Sequence, residues 1–258
     1  MTRVGLRLWA VLVGTILVAP TLVVIPLSFA GTRSFVFPPE GWSLRWFANF
    51  FADPGWRGAL VTSLQIALAV AVLATVLGTA AAFALDRGRI PGTTAVHGVL
   101  LAPIVVPQIV AAIGVYAAFL QWRLSGTVAG FVLGHTTLAV PFVVVAVSAS
   151  LRGYDRSLDL AAGSLGAPPW AVFRRVTLPI ILPGVLSGLV FAFVTSLDEV
   201  VMALYLQSPT LQTLPVQMFS SVTVETDPTI AAASSLVLVV TTALILLSQL
   251  LRRGKSTS

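Results

Sequence analysis

An all-α membrane protein with six transmembrane helices is the fold class this sequence predicts. Three observations carry it. First, 57% of the 258 residues are hydrophobic and only 9% are charged, against roughly 25% charged in a soluble domain. So few charges do not cover a water-facing surface of this size, and a mean hydropathy of +0.98 assigns that surface to lipid. Second, six apolar runs stand out, at 8–30, 59–85, 97–120, 127–151, 180–206 and 229–251. Each reaches the ~20 residues that a helix needs to cross a ~30 Å hydrocarbon core. Third, the basic residues flank these runs rather than forming a patch, a membrane-topology pattern and not a nucleic-acid footprint, despite the net charge of +6.

The runs are justified in order. In the first, Ser28-Phe29-Ala30 resembles a signal-peptidase site, but the run exceeds a signal core of about 7–15 residues, so a retained helix is expected. In the loop 31–58, Trp42, Trp46 and Trp56 read as interfacial anchors. The third run contains Pro103 and Pro107, which predict a kink or an unwound stretch. Gln108 beside them is placed to hydrogen-bond across helices. The fourth run carries His135, read either as a satisfied interface residue or as a proton or cation sensor. Between runs five and six, Glu225 and Asp227 lie near Pro228, either touching an outside partner or solvated. No fixed-period repeat or linker divides the chain, so residues 1–258 read as one membrane domain.

Charge sets the orientation. With six spans the termini share a side. On it lie Arg3, Arg7, Arg87, Arg89, Arg152, Arg156, Arg174, Arg175, Arg252, Arg253 and Lys255, against Arg33, Arg45, Arg57 and Arg123 on the other. The bias predicts cytoplasmic termini in a bacterial inner membrane and makes 152–179 the longest cytoplasmic loop.

Several functions are excluded. There is no cysteine, hence no disulfide frame, thiolate metal site or Cys nucleophile. His97 and His135 are the two histidines, and no catalytic or metal-ligating constellation surrounds them. Gly254-Lys255-Ser256-Thr257 looks like the end of a P-loop, but Gln249 stands where that motif needs glycine and no strand precedes it. The tail is a basic flank, and this chain is not expected to bind or hydrolyse ATP.

The loop "RGYDRSLDLAAGSLGAPPWAVFRRVTLP" has helical content of its own. Leu158 to Leu165 favours helix, Gly166 suits a break, and Pro168 and Pro169 suit the first turn of a second helix. Trp170, Val172 and Phe173 give that helix an apolar side, and Arg174 and Arg175 complement its C-terminal dipole. Pro179 marks the entry to the fifth run. Two short helices are therefore expected on the membrane face, offering a partner an apolar surface or resting on lipid headgroups.

Ala161-Ala162, then Gly166, then Val176-Thr177-Leu178-Pro179 resemble the EAA loop of ABC-importer permeases. That pattern runs E-A-A, three residues, Gly, nine residues, Ile-x-Leu-Pro. The spacing matches throughout, with Leu160 at the Glu position, Asp159 just before it, and Val176 for Ile. The stretches "HTTLAVPFVVVAVSASL", "SLDEVVMALYL" and "TLPVQMFSSVTVETDPTIAAASSL" are further similar to the second permease of spermidine/putrescine-type importers. The resemblance implies the architecture of a type I ABC-importer permease, with a coupling helix in the loop. It implies a second permease subunit, an ATPase dimer that binds the ATP, and an extracytoplasmic substrate-binding protein. The ATPase-coupling residues would be Asp159, Ala161, Ala162, Gly166, Pro168, Trp170, Arg174, Leu178 and Pro179. Related permeases carry ferric iron, thiamine, phosphonates or opines, so the substrate class stays open between polyamines and these.

The adjacent carboxylates Asp198 and Glu199 interrupt the fifth run. Acids inside a span usually face protein or a watery path, because lipid exposure costs on the order of 3 kcal/mol. On one continuous helix Asp198 shares a stripe with Ser187, Phe191, Thr195, Met202 and Tyr205. Glu199, ~100° away, points towards a neighbouring helix or a sister subunit. Carboxylates beside aromatics suit a flexible organic cation. Asp198, Glu199, Thr195, Met202 and Tyr205 are thus the candidate substrate path. Two alternatives are a purely structural pair and the ion site of a secondary transporter, although such a transporter has no need of the Ala161–Pro179 loop.

Overall fold

The computed structural model describes residues 3–33, 35–88, 92–223 and 227–253. Glu225, Arg89 and the tail from Gly254 lie outside the described residues. Helices follow one another as α1 (Arg3–Ser28), α2 (Arg45–Ala52), α3 (Pro54–Arg87), α4 (Thr93–Val105), α5 (Gln108–Gln121) and α6 (Val128–Arg152). Then come α7 (Ser157–Ser164), α8 (Pro169–Val172), a π-helical turn (Phe173–Thr177), α9 (Leu178–Leu197), α10 (Val201–Leu206), α11 (Leu214–Thr223) and α12 (Thr229–Arg253). No strand forms among the described residues. Five helical stretches are long and apolar enough to cross a membrane, and six if α4 and α5 count as one broken span.

The chain divides into two compact units, Met1–Gly58 with Gln217–Thr242, and Ala59–Val216 with Ala243–Ser258. In the first, the expected tryptophan anchors behave differently from one another. Trp42 is exposed, whereas Trp46 and Trp56 are buried. Trp46 donates its indole N–H to the Ala30 carbonyl at 2.8 Å, and Trp56 donates to Asp227 Oδ2 at 3.2 Å. An indole leaves the interface when a protein acceptor satisfies its single donor. Asp227, expected to touch a partner or water, is held here; its Oδ1 also accepts from the Thr229 N–H at the start of α12. Asp53 caps α3 in the same way, accepting from the Trp56 N–H at 2.9 Å with Pro54 as the first helical residue.

The second unit is built on α6 lying along α9. Gly184 and Gly188 form a Gly-x-x-x-Gly step that lets the backbones approach. A Cβ at Gly184 would sit 2.0 Å from Ser150 Oγ, and one at Gly188 would sit 3.2 Å from Val143 Cα. Around this seam Val143, Val147 and Leu151 of α6 and Ile181 and Ala192 of α9 are buried in one apolar cluster.

Two expected spans are broken. The third bends by 104° between α4 and α5. Val106 and Pro107 are extended, with ψ of 130° and 127°. Pro107 forces this, since it lacks an N–H and pushes the residue before it out of helical geometry. Pro103 stays inside α4. The fifth, expected as one helix over 180–206, ends at Leu197 and restarts at Val201. Its other end begins earlier than expected. The second loop helix does not stand apart but runs through α8 and the π-helical turn into α9, a single stretch Pro169–Leu197. Pro179 therefore lies inside a continuous helical stretch, directly after the π-helical turn, rather than at the entry to a span.

Candidate functional site

The two helix breaks face one cavity of about 760 Å³. Pro103, Val105 and Pro107 line it from the first break, Leu138 and Phe142 from α6, and Thr195, Asp198 and Val200 from the second break. A neighbouring cavity of about 360 Å³ shares Ile104 and Phe142 and continues along Gly184, Ser187 and Phe191. Ser187, Phe191, Thr195 and Asp198 thus line adjoining space, as one face of α9 should.

That face does not continue beyond Asp198. Asp198 closes α9, its N–H reaching the Val194 carbonyl at 3.0 Å, and the three residues 198–200 lie outside regular helix. The interruption resets the phase of α10. Met202, expected on the path, is fully buried, and its Sδ lies 2.8 Å from where a Gly134 Cβ would be. Tyr205, expected beside it, stacks near Tyr116 with centroids 6.0 Å apart. Neither lines the two cavities.

The two carboxylates part company. Asp198 is exposed to the cavity, and no described residue pairs with its side chain. Glu199 is 4% exposed and turns back onto the start of α10. It accepts from the N–H groups of Met202 at 3.1 Å and Ala203 at 3.0 Å, and from Gln108 Nε2. These backbone donors are the ones an α-helix leaves unpaired in its first turn, and an anion suits that end of the dipole. Gln108 opens α5, so a single carboxylate joins both helix breaks. His135 lies behind it, buried, with Nδ1 2.9 Å from Ser196 Oγ and Nε2 3.8 Å from Glu199 Oε2. Of the two directions expected for Glu199, a neighbouring helix or a sister subunit, these contacts to α5 and α6 give the first, and the residue also borders the larger cavity.

The loop 152–179 forms a second candidate surface. α7 ends before Gly166, whose φ of +82° favours glycine. Pro168 is extended and Pro169 starts α8. Leu160, Leu165 and Trp170 are 73%, 90% and 67% exposed. Ala161, Pro168 and Arg174 are also exposed, while Ala162 and Leu178 are half-buried. Asp159 differs from these neighbours. Its carboxylate points inward, to the Arg87 guanidinium, the Tyr154 hydroxyl at 2.7 Å and the Thr177 hydroxyl at 3.1 Å. Burial pushes the Tyr154 hydroxyl above its ordinary range, which keeps it protonated and donating.

Broken spans around a lined cavity, joined to an exposed loop with an apolar tip, give the chain the layout of a polytopic permease. The family model described as "binding-protein-dependent transport system inner membrane component" matches residues 3–256, and the chain belongs to that family. The putrescine transport system permease protein PotI of Escherichia coli (strain K12) is 36% identical over 231 residues, covering 87% of this chain and 82% of that one. The spermidine/putrescine transport system permease protein PotC of Haemophilus influenzae is 33% identical over 234 residues, covering 91% of each. A solved bacterial alginate ABC transporter, in complex with its pentasaccharide-bound periplasmic protein, is alike at a TM-score of 0.72 and 17% identity, over 98% of this chain and 96% of that one. At that identity the likeness shows the fold alone, and the fold is the importer-permease architecture expected from the sequence. The chain is a multi-pass inner-membrane transport component.

Proposed function

We propose that this chain is one of two permease subunits of an ATP-driven importer for polyamine-like cations. The observation that carries the substrate class is the Asp198 carboxylate, unpaired among the described residues and open to a cavity otherwise lined mainly by apolar groups. A lone anion in such a place is a site for a cation, since lipid or an empty apolar cavity offers it no compensation. The names of the putrescine and spermidine/putrescine relatives support the same reading. Thr195 supplies a hydroxyl next to Asp198. Glu199 acts by holding both breaks in register rather than by touching the cation.

ATP is bound and split by a separate cytoplasmic ATPase dimer, and an extracytoplasmic binding protein delivers the substrate. Leu160, Leu165 and Trp170 form the apolar knobs of the loop that seat against the ATPase. Both termini lie in the cytoplasm, as the positions of Lys and Arg favour. Closure of the ATPase dimer displaces the loop, rocks the spans and opens the cavity at Asp198 to the binding protein. The test is purification of the assembled complex with its binding protein, identification of the bound solute by mass spectrometry, and uptake of labelled putrescine into proteoliposomes. A polyamine is expected. A molybdate, phosphonate or sugar in the binding protein would refute the substrate class while leaving the importer reading intact.

A further inference from the structure

The loop resemblance assigns Asp159 to the ATPase-facing surface, next to the position where the family carries Glu. The structure gives that carboxylate other work. Oδ2 meets Arg87 Nη2, and Oδ1 accepts from the Tyr154 and Thr177 hydroxyls. Arg87 also donates to Thr177 Oγ1 at 3.3 Å and lies over the Phe83 ring at 4.3 Å. A second tie runs beside the first: Arg156 Nη2 lies 3.0 Å from Asp86 Oδ2 and donates to the Asp86 carbonyl at 2.7 Å. One carboxylate thus gathers the last residue of α3, the turn after α6, the first turn of α7 and the π-helical turn that leads into α9.

We propose that Asp159 is a positioning residue, an internal strut that makes α7 move together with the end of α3 and the foot of α9. Without it α7 would be tied to α3 only at its start, through Arg156 and Asp86, and a push on its far end would be absorbed locally, because Gly153 precedes the helix and the left-handed Gly166 follows it. With it, displacement of the loop reaches two spans at once. α9 carries Thr195 and Asp198, so the strut lies at the opposite end of the helix that lines the cavity. The proposal rests on the reading that α7 docks on an ATPase, and the two are separable by experiment.

The chain contains no cysteine, so an introduced pair is unique within it and labels alone when the purified chain is labelled before assembly. Spin labels at Ala84 of α3 and Ser164 at the far end of α7, in the full reconstituted complex, report the distance across the strut in nucleotide-free and vanadate-trapped states. The expected distance is the same in both states for the otherwise native chain. In Asp159→Asn it shifts or broadens on trapping, and the ATP hydrolysed per solute imported rises about fivefold, the size of a lost ion pair of ~1 kcal/mol. If Asp159→Asn fails to assemble, Tyr154→Phe, which removes one hydroxyl, is expected to broaden the same distance, and exchange of the charges (Asp159→Arg with Arg87→Asp) to narrow it again. A distance that changes on trapping in the native background, or one that stays fixed in both single variants, overturns the strut. Docking is read apart from this, by whether the ATPase co-purifies with Leu165→Asp. Retention there overturns the docking reading, whereas loss of the ATPase with a variable distance overturns only the strut.

Discussion

Replacing Glu199 by alanine isolates what the buried carboxylate does. Three donors point at it, the N–H groups of Met202 and Ala203 and the amide of Gln108, and it is 4% exposed. Each buried donor left without an acceptor costs about 1–3 kcal/mol. Three of them give roughly 3–9 kcal/mol, and water entering from the adjacent cavity brings the outcome towards the lower end, about 3 kcal/mol. Glu199→Gln keeps one oxygen for Met202 and Gln108 but sets an amide NH2 against the Ala203 N–H, one unpaired buried donor at about 1 kcal/mol. At roughly 2–4 °C per kcal/mol for a chain of this size, the midpoint for thermal loss of the purified complex should fall by about 6–12 °C in the alanine variant and about 2–4 °C in the glutamine variant. The assay is heating of the nanodisc-embedded complex, followed by size-exclusion of what survives. An alanine variant with an unchanged midpoint would show that the carboxylate does not hold the two breaks together.

Three further outcomes follow from the same geometry. Asp198→Asn has no partner to lose among the described residues, so its midpoint should match the native chain while uptake of labelled putrescine falls about tenfold, the effect of one exposed charge pair at ~1.4 kcal/mol; equal uptake would remove Asp198 from the path. Gly184→Leu forces a side chain into Ser150 at the α6–α9 seam and should cost about 1–3 kcal/mol, partly recovered by adding Ser150→Gly; full stability of the single variant would contradict the close approach. A reporter active only in the cytoplasm, fused after Ser258, should be active, and a periplasm-active one silent.

Most of the helical layout was legible because apolar length is a strong signal: α1, α3, α6 and α12 lie where their runs predict. The break in the third span was half legible. Pro103 and Pro107 announce it, yet only Pro107 makes it, since Pro103 sits where its neighbours carry the helix past it. The break in the fifth span contains neither glycine nor proline. Its signal was the acidic pair itself, because Glu199 serves as an acceptor for the first turn of a new helix, a capping role that an unbroken apolar run conceals. Reading the run as one helix put Met202 and Tyr205 on the path, which the reset phase removes. The inward contacts of Asp159 were hidden for another reason. Its partner Arg87 belongs to a different span, and spacing within a motif carries no information about a contact so distant along the chain. The same holds for Trp46 and Trp56, whose acceptors lie in other segments of the chain.

The π-helical turn at Phe173–Thr177 closes with the Leu178 N–H on the Phe173 carbonyl, five residues back rather than four. One extra residue is thereby stored in the winding between α8 and α9. On an α-helix one residue amounts to ~100° of rotation, so deleting Val176 while keeping the helix would dial everything before it round by more than a quarter turn. Leu160, Leu165 and Trp170, which all precede it, would then turn together relative to α9, although none of the three had been altered. The angular setting of the loop's exposed face against α9 is thus written in the count of residues inside a single turn.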